Sequence, residues 1–327
     1  MSISSPTNSA SSIGPAIAGR RSGLTLCVAA ALLLPWFAAP ALAQSDAPPP
    51  TLARIRATQT VVIGHRLDAL PFAYLDANKQ PIGYGIDVCN EIVGALRREL
   101  KLPALRVEYV PVTAANRFQI VNSGKADMEC GLTVNNPERR KDTTYSIPYF
   151  FAGPRILTRV DSGIRGFGDL TGKRVVAAKG ANAIPILQRR IDNRQLVGTQ
   201  LLQADGNTQA FAMLEKGEAD AFVTIDNLLS AYRATSKDPK AYHVVGAPLV
   251  VEAVAIVLRF GDAEFKRAVD RALTGLMLDG VVTRLYSKWF GQPVPIPGSA
   301  QPRSVDIPMS ALLRDQIRWP SDRTGDE

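Results

Sequence analysis

The stretch LTVNNPERRKDTTYSIPY, Leu132 to Tyr149, read together with ADMECG (Ala126 to Gly131) before it, decides the fold. An apolar strand runs into an exposed loop whose cations Arg139, Arg140 and Lys141 are followed by a hydroxyl-rich, aromatic, proline-punctuated run. A guanidinium at a strand end, beside free backbone N–H groups, makes two parallel charge-assisted hydrogen bonds to a carboxylate, so the loop suits an anion. Three cations in a loop are also what a solvated face contains, and spacing alone favours that plainer reading. The rest of the chain has to choose between them.

Met1 to Ala43 holds no acidic residue, the pair Arg20-Arg21, an apolar run from Leu24 to Phe37, and then Ala41-Leu42-Ala43 before Gln44. This is the pattern of a secretory signal with a small-residue cleavage site, so residues 1–43 are expected to be removed and the protein to be periplasmic. Pro35 and Pro40 interrupt the apolar run, which is shorter than the ~20 residues a spanning helix needs. Loss of Arg20 and Arg21 lowers the formal net charge of +8 by two. The remaining surplus fits attraction of a small anion. It does not call for nucleic acid, since no basic run is interleaved with aromatics. Cys89 and Cys130 remain in a compartment that permits disulfides, and a bridge between them is a structural hypothesis. No metal site is expected, because these cysteines, with His65 and His243 far apart in sequence, match no ligand spacing.

The exported chain is long for one simple domain, and short apolar strands alternate with amphipathic helices, which is the signature of α/β layers. Thr60 to Ile63 reads as a strand. Val88, Ile92, Val93 and Leu96 recur at helical spacing after Asp87, a candidate cap. Thr113 is positioned to cap a helix carrying Phe118 and Val121. A weak internal repeat links FQIVNSGKADMEC (Phe118 to Cys130) and FAMLEKGEADAFV (Phe211 to Val223), which share Phe, Gly, Ala and Asp at the same offsets. Helix, glycine stop and Ala-Asp leading into a strand are thus written twice, as in two lobes of related construction. Chance convergence on a common connection is the competing explanation. Arg174 to Ala178, Ala219 to Thr224 and Ala241 to Val245 read as strands of a second lobe, with Asn207 or Thr208 capping a helix. Near Gly246 the chain is expected to return, through a strand at Ala253 to Leu258 and a helix at Asp262 to Leu278. The expected organisation is a first lobe from 44–151 and 248–291, a second lobe at 152–247, and a Pro-rich tail at 292–327 that wraps a surface or is loosely held. Two crossings between lobes make a hinge with a cleft.

With these segments in order, the chain resembles the periplasmic solute-binding proteins of polar amino-acid ABC transporters, family 3, and within it the glutamate/aspartate-binding members. The resemblance is carried by VVIGHR, LPFAYLD, GYGIDVCNEIV, TAANRFQIVNSGKADMECG, NNPERRK, GKRVVAAKG, LEKGEADAF and LYSKWFG, from Leu52 to Gly291. It implies a two-lobed α/β fold of the type II periplasmic-binding-protein kind that closes on a small anionic ligand, and a membrane ABC permease as partner. It also implies a monomer that uses no cofactor and catalyses no reaction. The ligand's side-chain carboxylate would meet Arg66 and Arg117, and its α-carboxylate Arg139, helped by the hydroxyl of Thr133. Asn182 and Asn207 stand where the family places a threonine and a histidine in the second lobe. The family's amine-binding aspartate falls at Ile225, with Asp226 one residue on, so either Asp226 serves instead or the ligand is a dicarboxylate without an amine. Asp226 is equally readable as a helix cap. Phe72, after Pro71, would cover the ligand or simply belong to the core. His65 and His243 read as packing residues. The enzymatic alternative on this fold, a dehydratase-type reaction, needs a general acid, for which Glu129 is the nearest candidate.

Overall fold

The computed structural model describes residues 49–299, 301–305 and 307–324; the expected signal sequence lies outside them. Helix α1 (Thr51–Thr58) sets Leu52 and Ile55 into the core and gives way at Gln59, in the left-handed region (φ 52°), to strand β1 (Thr60–Arg66). β1 is flanked on both sides by parallel neighbours, so both faces are covered and its near-continuous apolar run is explained. Short antiparallel strands β2 (Asp68–Ala69), β3 (Ala73–Leu75) and β4 (Pro81–Ile82) lead to helix α2 (Tyr84–Glu99), whose Val88, Ile92, Val93 and Leu96 are buried. Gly83, not Asp87, precedes its first residue. Asp87 lies inside the first turn, where negative charge suits the helix's positive end, and accepts from Trp289 Nε1 at 2.7 Å.

Strand β5 (Arg106–Val112), helix α3 (Arg117–Asn122) and strands β6 (Met128–Glu129), β7 (Val134–Asn135), β8 (Thr144–Tyr145) and β9 (Phe150–Ala152) complete the first passage. The second group follows as β10 (Pro154–Arg159), β11 (Arg174–Ala178), α4 (Ala183–Asp192), β12 (Gln200–Ala204), α5 (Asn207–Glu215), β13 (Ala221–Ile225), α6 (Asp226–Thr235) and β14 (Tyr242–Val245). Gly206 occupies the cap position of α5, so Asn207 is its first residue and not its cap. The expected strand over 253–258 divides into β15 (Glu252–Val254) and β16 (Val257–Leu258), which join different sheets. Helices α7 (Ala263–Leu278), capped by Asp262 through Phe265 N–H, α8 (Val281–Phe290) and α9 (Ala311–Arg318) end the chain.

Two five-stranded sheets result, ordered β5-β1-β6-β16-β8 and β12-β11-β13-β10-β14, each central to one lobe. The chain passes between them from β9 into β10 and from β14 into β15. β9 and β15 are paired antiparallel, with Ala253 opposite Phe151, so both crossings run side by side in a small sheet with β7. Gly153 lies in one crossing, and a Cβ there would stand 2.0 Å from the Val250 carbonyl in the other. Only glycine lets the two strands of this hinge approach so closely.

The internal repeat has a shared structural cause. Asp127 accepts from Val62 N–H at 2.7 Å while its own N–H donates to the Val62 carbonyl at 2.8 Å. Asp220 repeats this with Arg174 at 2.8 Å in both directions. Each Ala-Asp step therefore pins the strand after a helix to its parallel neighbour, and each preceding glycine, Gly124 or Gly217, turns the corner in the left-handed region. Cys89 on α2 is bonded to Cys130 just after β6, S–S 1.98 Å, stapling helix to sheet in the first lobe.

The Pro-rich tail is docked along its described residues. Arg303 exchanges backbone hydrogen bonds with Val294 and donates to the carbonyls of Ala234 at 2.5 Å and Ser236 at 3.2 Å, at the end of α6. Ile307 N–H returns to the Phe290 carbonyl, and Leu313 of α9 is buried. The tail thus ties the last helices of the first lobe to the second lobe.

Candidate functional site

Arg117 opens α3, directly after a turn in which Thr113 and Asn116 bond each other's backbone N–H groups through their side chains. That turn points its side chain between the lobes, where it is 2% exposed. Its Nη1 donates to the Ala114 carbonyl and its Nη2 to the Gly180 carbonyl of the second lobe at 3.4 Å. Arg139 begins a short 3₁₀ turn held by Asn136 Oδ1 on its N–H. Its Nη1 donates to Val134 O at 3.0 Å and its Nη2 to the same Gly180 carbonyl at 3.3 Å. Both guanidinium carbons lie over the Phe118 ring, at 4.4 and 5.4 Å from its centre. Among the described residues neither arginine is ion-paired. Arg117 also leaves its buried Nε–H without a partner.

Two cations crowded in this way destabilise their own charge. Burial first, and then the Arg139 guanidinium, push the pKa of Arg117 down to about 9. Burial lowers that of Arg139 as well, with Glu252 and Glu129 acting in the other direction. An anion between them would remove the imbalance.

The cleft around these groups has ≈ 400 Å³ free of atoms, part of it open to solvent. Arg66, Arg117, Arg139, Asn182 and Asn207 all line it. Its walls are otherwise largely apolar, with Leu132, Val134, Ala178, Ile225 and Leu228, and Thr224 adds a hydroxyl. No Asp or Glu side chain is among the lining residues. Asn207, 3% exposed at the start of α5, has a buried Oδ1 with no partner, so both it and Arg117, two residues that line the cleft, carry an unsatisfied buried polar atom. Asn182 closes the seam between lobes, accepting from Asn136 Nδ2 at 3.1 Å and donating to Glu252 Oε2.

Three residues expected at the ligand are placed elsewhere. Thr133 is fully buried behind the wall, its hydroxyl donating to Glu129 Oε2 at 2.7 Å. Phe72 is part of an aromatic core, 4.9 Å from Phe150 and 5.6 Å from Tyr84, ring centre to ring centre. Asp226 accepts from the next residue's N–H in its own helix, Asn227 at 2.8 Å, while the cleft wall is formed by the preceding Thr224 and Ile225. Burial raises the Asp226 pKa, which disfavours the charge an ammonium partner would need. Glu129 is buried against Gly131, where an added Cβ would lie 2.1 Å from its Oε1, and is not in the cleft wall. His65 packs edge-on against Tyr109.

Arg66 departs from expectation in another way. It lines the cleft, but its Nε and Nη2 already donate to Asp68 Oδ1 at 2.9 and 2.5 Å. Asp68 went unread in the sequence. Alternation along an extended segment puts residues 66 and 68 on one side, a signal that could have exposed the pair.

A cleft lined by three arginines, two of them without an ion-pair partner among the described residues, between two α/β lobes joined by paired crossings, defines a solute-binding protein of the type II periplasmic kind. Residues 61–292 match the family model of bacterial extracellular solute-binding proteins, family 3, and the chain belongs to that family. It is 37% identical to an L-glutamate/L-aspartate-binding protein of Pseudomonas aeruginosa over 85% of this chain and 90% of the relative. It is 36% identical to a glutamate/aspartate import solute-binding protein of Salmonella typhimurium, covering 84% and 89%. Among solved structures it is similar to an ancestral amino acid-binding protein described as a precursor of cyclohexadienyl dehydratase (TM-score 0.62, 29% identity, covering 73% of this chain and 99% of that one). Both of these sequence relatives are named for binding.

Proposed function

We propose that this protein is the periplasmic receptor of an ABC importer for an acidic amino acid of the glutamate or aspartate kind, captured between lobes 44–151 with 248–291 and 152–247. Its partner is a membrane permease, and it works as a monomer without chemistry of its own. The observation that carries this reading is the convergence of Arg117 and Arg139 on one cleft without a counter-ion, in a chain whose relatives are named for glutamate and aspartate. One carboxylate bridges or is shared by the two guanidiniums, and the amine is received by Asn207 Oδ1 with help from Thr224.

A second reading, an amine-free dicarboxylate, is favoured by the lack of any acidic side chain among the lining residues and by Ile225 at the family's amine-binding position. A buried ammonium facing only neutral acceptors is costly. Calorimetry on the full exported chain separates the two. Heat with L-glutamate or L-aspartate supports the first. Binding of glutarate or succinate with none of the amino acids establishes the second. Arg139→Gln should weaken either ligand by roughly a hundredfold, as expected for a lost charge-assisted pair. Unchanged affinity in that variant would remove both readings.

A further inference from the structure

The Arg66–Asp68 pair differs from the other two cleft arginines in having its counter-charge supplied by the chain. Asp68 lies on β2 in the first lobe, and its reach extends past Arg66. While Oδ1 takes Nε and Nη2 of Arg66, Oδ2 accepts from Asn207 N–H of the second lobe at 2.7 Å, at the positive end of α5. The Asp68 backbone carbonyl accepts from Asn207 Nδ2 at 3.1 Å and from the Tyr232 hydroxyl at 2.9 Å. A Cβ at residue 206 would stand 2.6 Å from Oδ2, so a larger residue there would displace this carboxylate. The Arg66 side chain is 5% exposed and that of Asp68 16%, so this carboxylate is seated within the closed interface.

An arginine together with a helix N-terminus is an arrangement that would receive a carboxylate from a ligand. Here it is filled from within. We infer that Asp68 is a specificity-determining residue: it stands in for a ligand carboxylate at Arg66 and α5, leaving Arg117 and Arg139 as the only arginines through which the cleft reads its ligand's charge. The inference rests on the reading that those two arginines hold a carboxylate. It adds that Asp68, by its charge, works against a second carboxylate extended toward Arg66 and so narrows the preference of the site for a longer diacid over its monoamide.

The test compares isosteric pairs that differ by one carboxylate against one amide: L-glutamate with L-glutamine, and glutarate with glutaramate. Calorimetry is run on the parent protein, Asp68→Ala, Asp68→Asn and Asp68→Ala/Arg66→Met. In both single variants the affinity ratio of diacid to monoamide rises at least tenfold over the parent, because Arg66 is released to the ligand, and the added Arg66→Met change cancels the gain. Asp68→Asn keeps the side-chain shape and an acceptor for Asn207 N–H, and covers the case in which Asp68→Ala fails to fold. A merely structural Asp68 would weaken both members of each pair alike, and an unchanged or falling ratio overturns the inference. If that happens while Arg139→Gln still weakens binding about a hundredfold, the Arg117 and Arg139 reading stands and only the role of Asp68 falls. A parent protein that binds none of the four compounds, nor L-aspartate or succinate, removes both.

Discussion

Arg117 and Arg139 share one acceptor, the Gly180 carbonyl, which they reach across the cleft at 3.4 and 3.3 Å. Gly180 belongs to the turn between β11 and α4 and holds φ at +74°, and a Cβ on it would stand 2.4 Å from the Ala114 carbonyl of the opposite lobe. The backbone of the second lobe is therefore laid directly on the turn that carries Arg117. Gly180→Ala should prop the lobes apart and weaken ligand capture at least tenfold. Left-handed strain adds roughly 1 kcal/mol or more of lost stability. Calorimetry and thermal unfolding check the two effects; unaltered affinity would show that this contact is not part of closure.

Arg117→Met tests whether the cleft stores unfavourable charge. Because burial and Arg139 hold the Arg117 pKa at about 9, well below the ordinary arginine value, the unfolded chain keeps this proton where the folded chain has lost it. The charge penalty is therefore complete below about pH 9 and is relieved as the pH rises above it. At pH 7 the methionine variant should unfold at a higher temperature than the parent, by the equivalent of about 1 to 3 kcal/mol, the range for replacing a buried charge with an apolar residue. The advantage should shrink above pH 9, and ligand binding should be lost at every pH. In the parent, carboxylate affinity should be level from pH 7 to 8 and decline as Arg117 loses its proton.

The Cys89–Cys130 bond spans 41 positions within the first lobe, and both side chains are fully buried. Loop-closure entropy assigns such a crosslink about 4 kcal/mol. Cys89→Ser/Cys130→Ser should lose stability of that order in denaturant unfolding. The loss should fall on the β5-β1-β6 sheet and leave hydrogen-exchange protection of β11 and β13 nearly unaltered.

Arg303 gives a fourth expectation. Its two hydrogen bonds to the end of α6 cross from the tail to the second lobe, and Arg303→Ala removes both. A cost of about 1 to 3 kcal/mol is expected from the lost contacts to a charged group. Faster amide exchange at residues 234–237 locates it.

Sequence patterning revealed the layers because each sheet's central strands are apolar runs and the helices repeat at regular spacing. Arg117 came forward only through the family resemblance, and Arg139 through that resemblance joined to its place in a cation-rich loop after a strand. Position along the chain could not show what each side chain faces. Thr133 and Phe72 sit near cleft residues in sequence yet point into the core. Asp226 turns back onto its own helix, as a side chain at a helix start commonly does. Asp68 escaped notice although Arg66 stands two residues away, because its other partners, Asn207 and Tyr232, lie on another lobe and join it only when the two sheets are brought together. The strand over 253–258 was read as one since its apolar run is unbroken; the division follows from its two halves serving the hinge and the first sheet in turn.

The two sheets differ in how the gene order assembles them. β10 to β14 form an uninterrupted segment, so a ribosome or export channel that has released residues up to 246 has delivered every strand of the second sheet. The first sheet still lacks β16 at that moment, the strand seated between β6 and β8. The second sheet can therefore be complete while the first still awaits β16, and the arginine-lined crevice needs both flanks of the polypeptide.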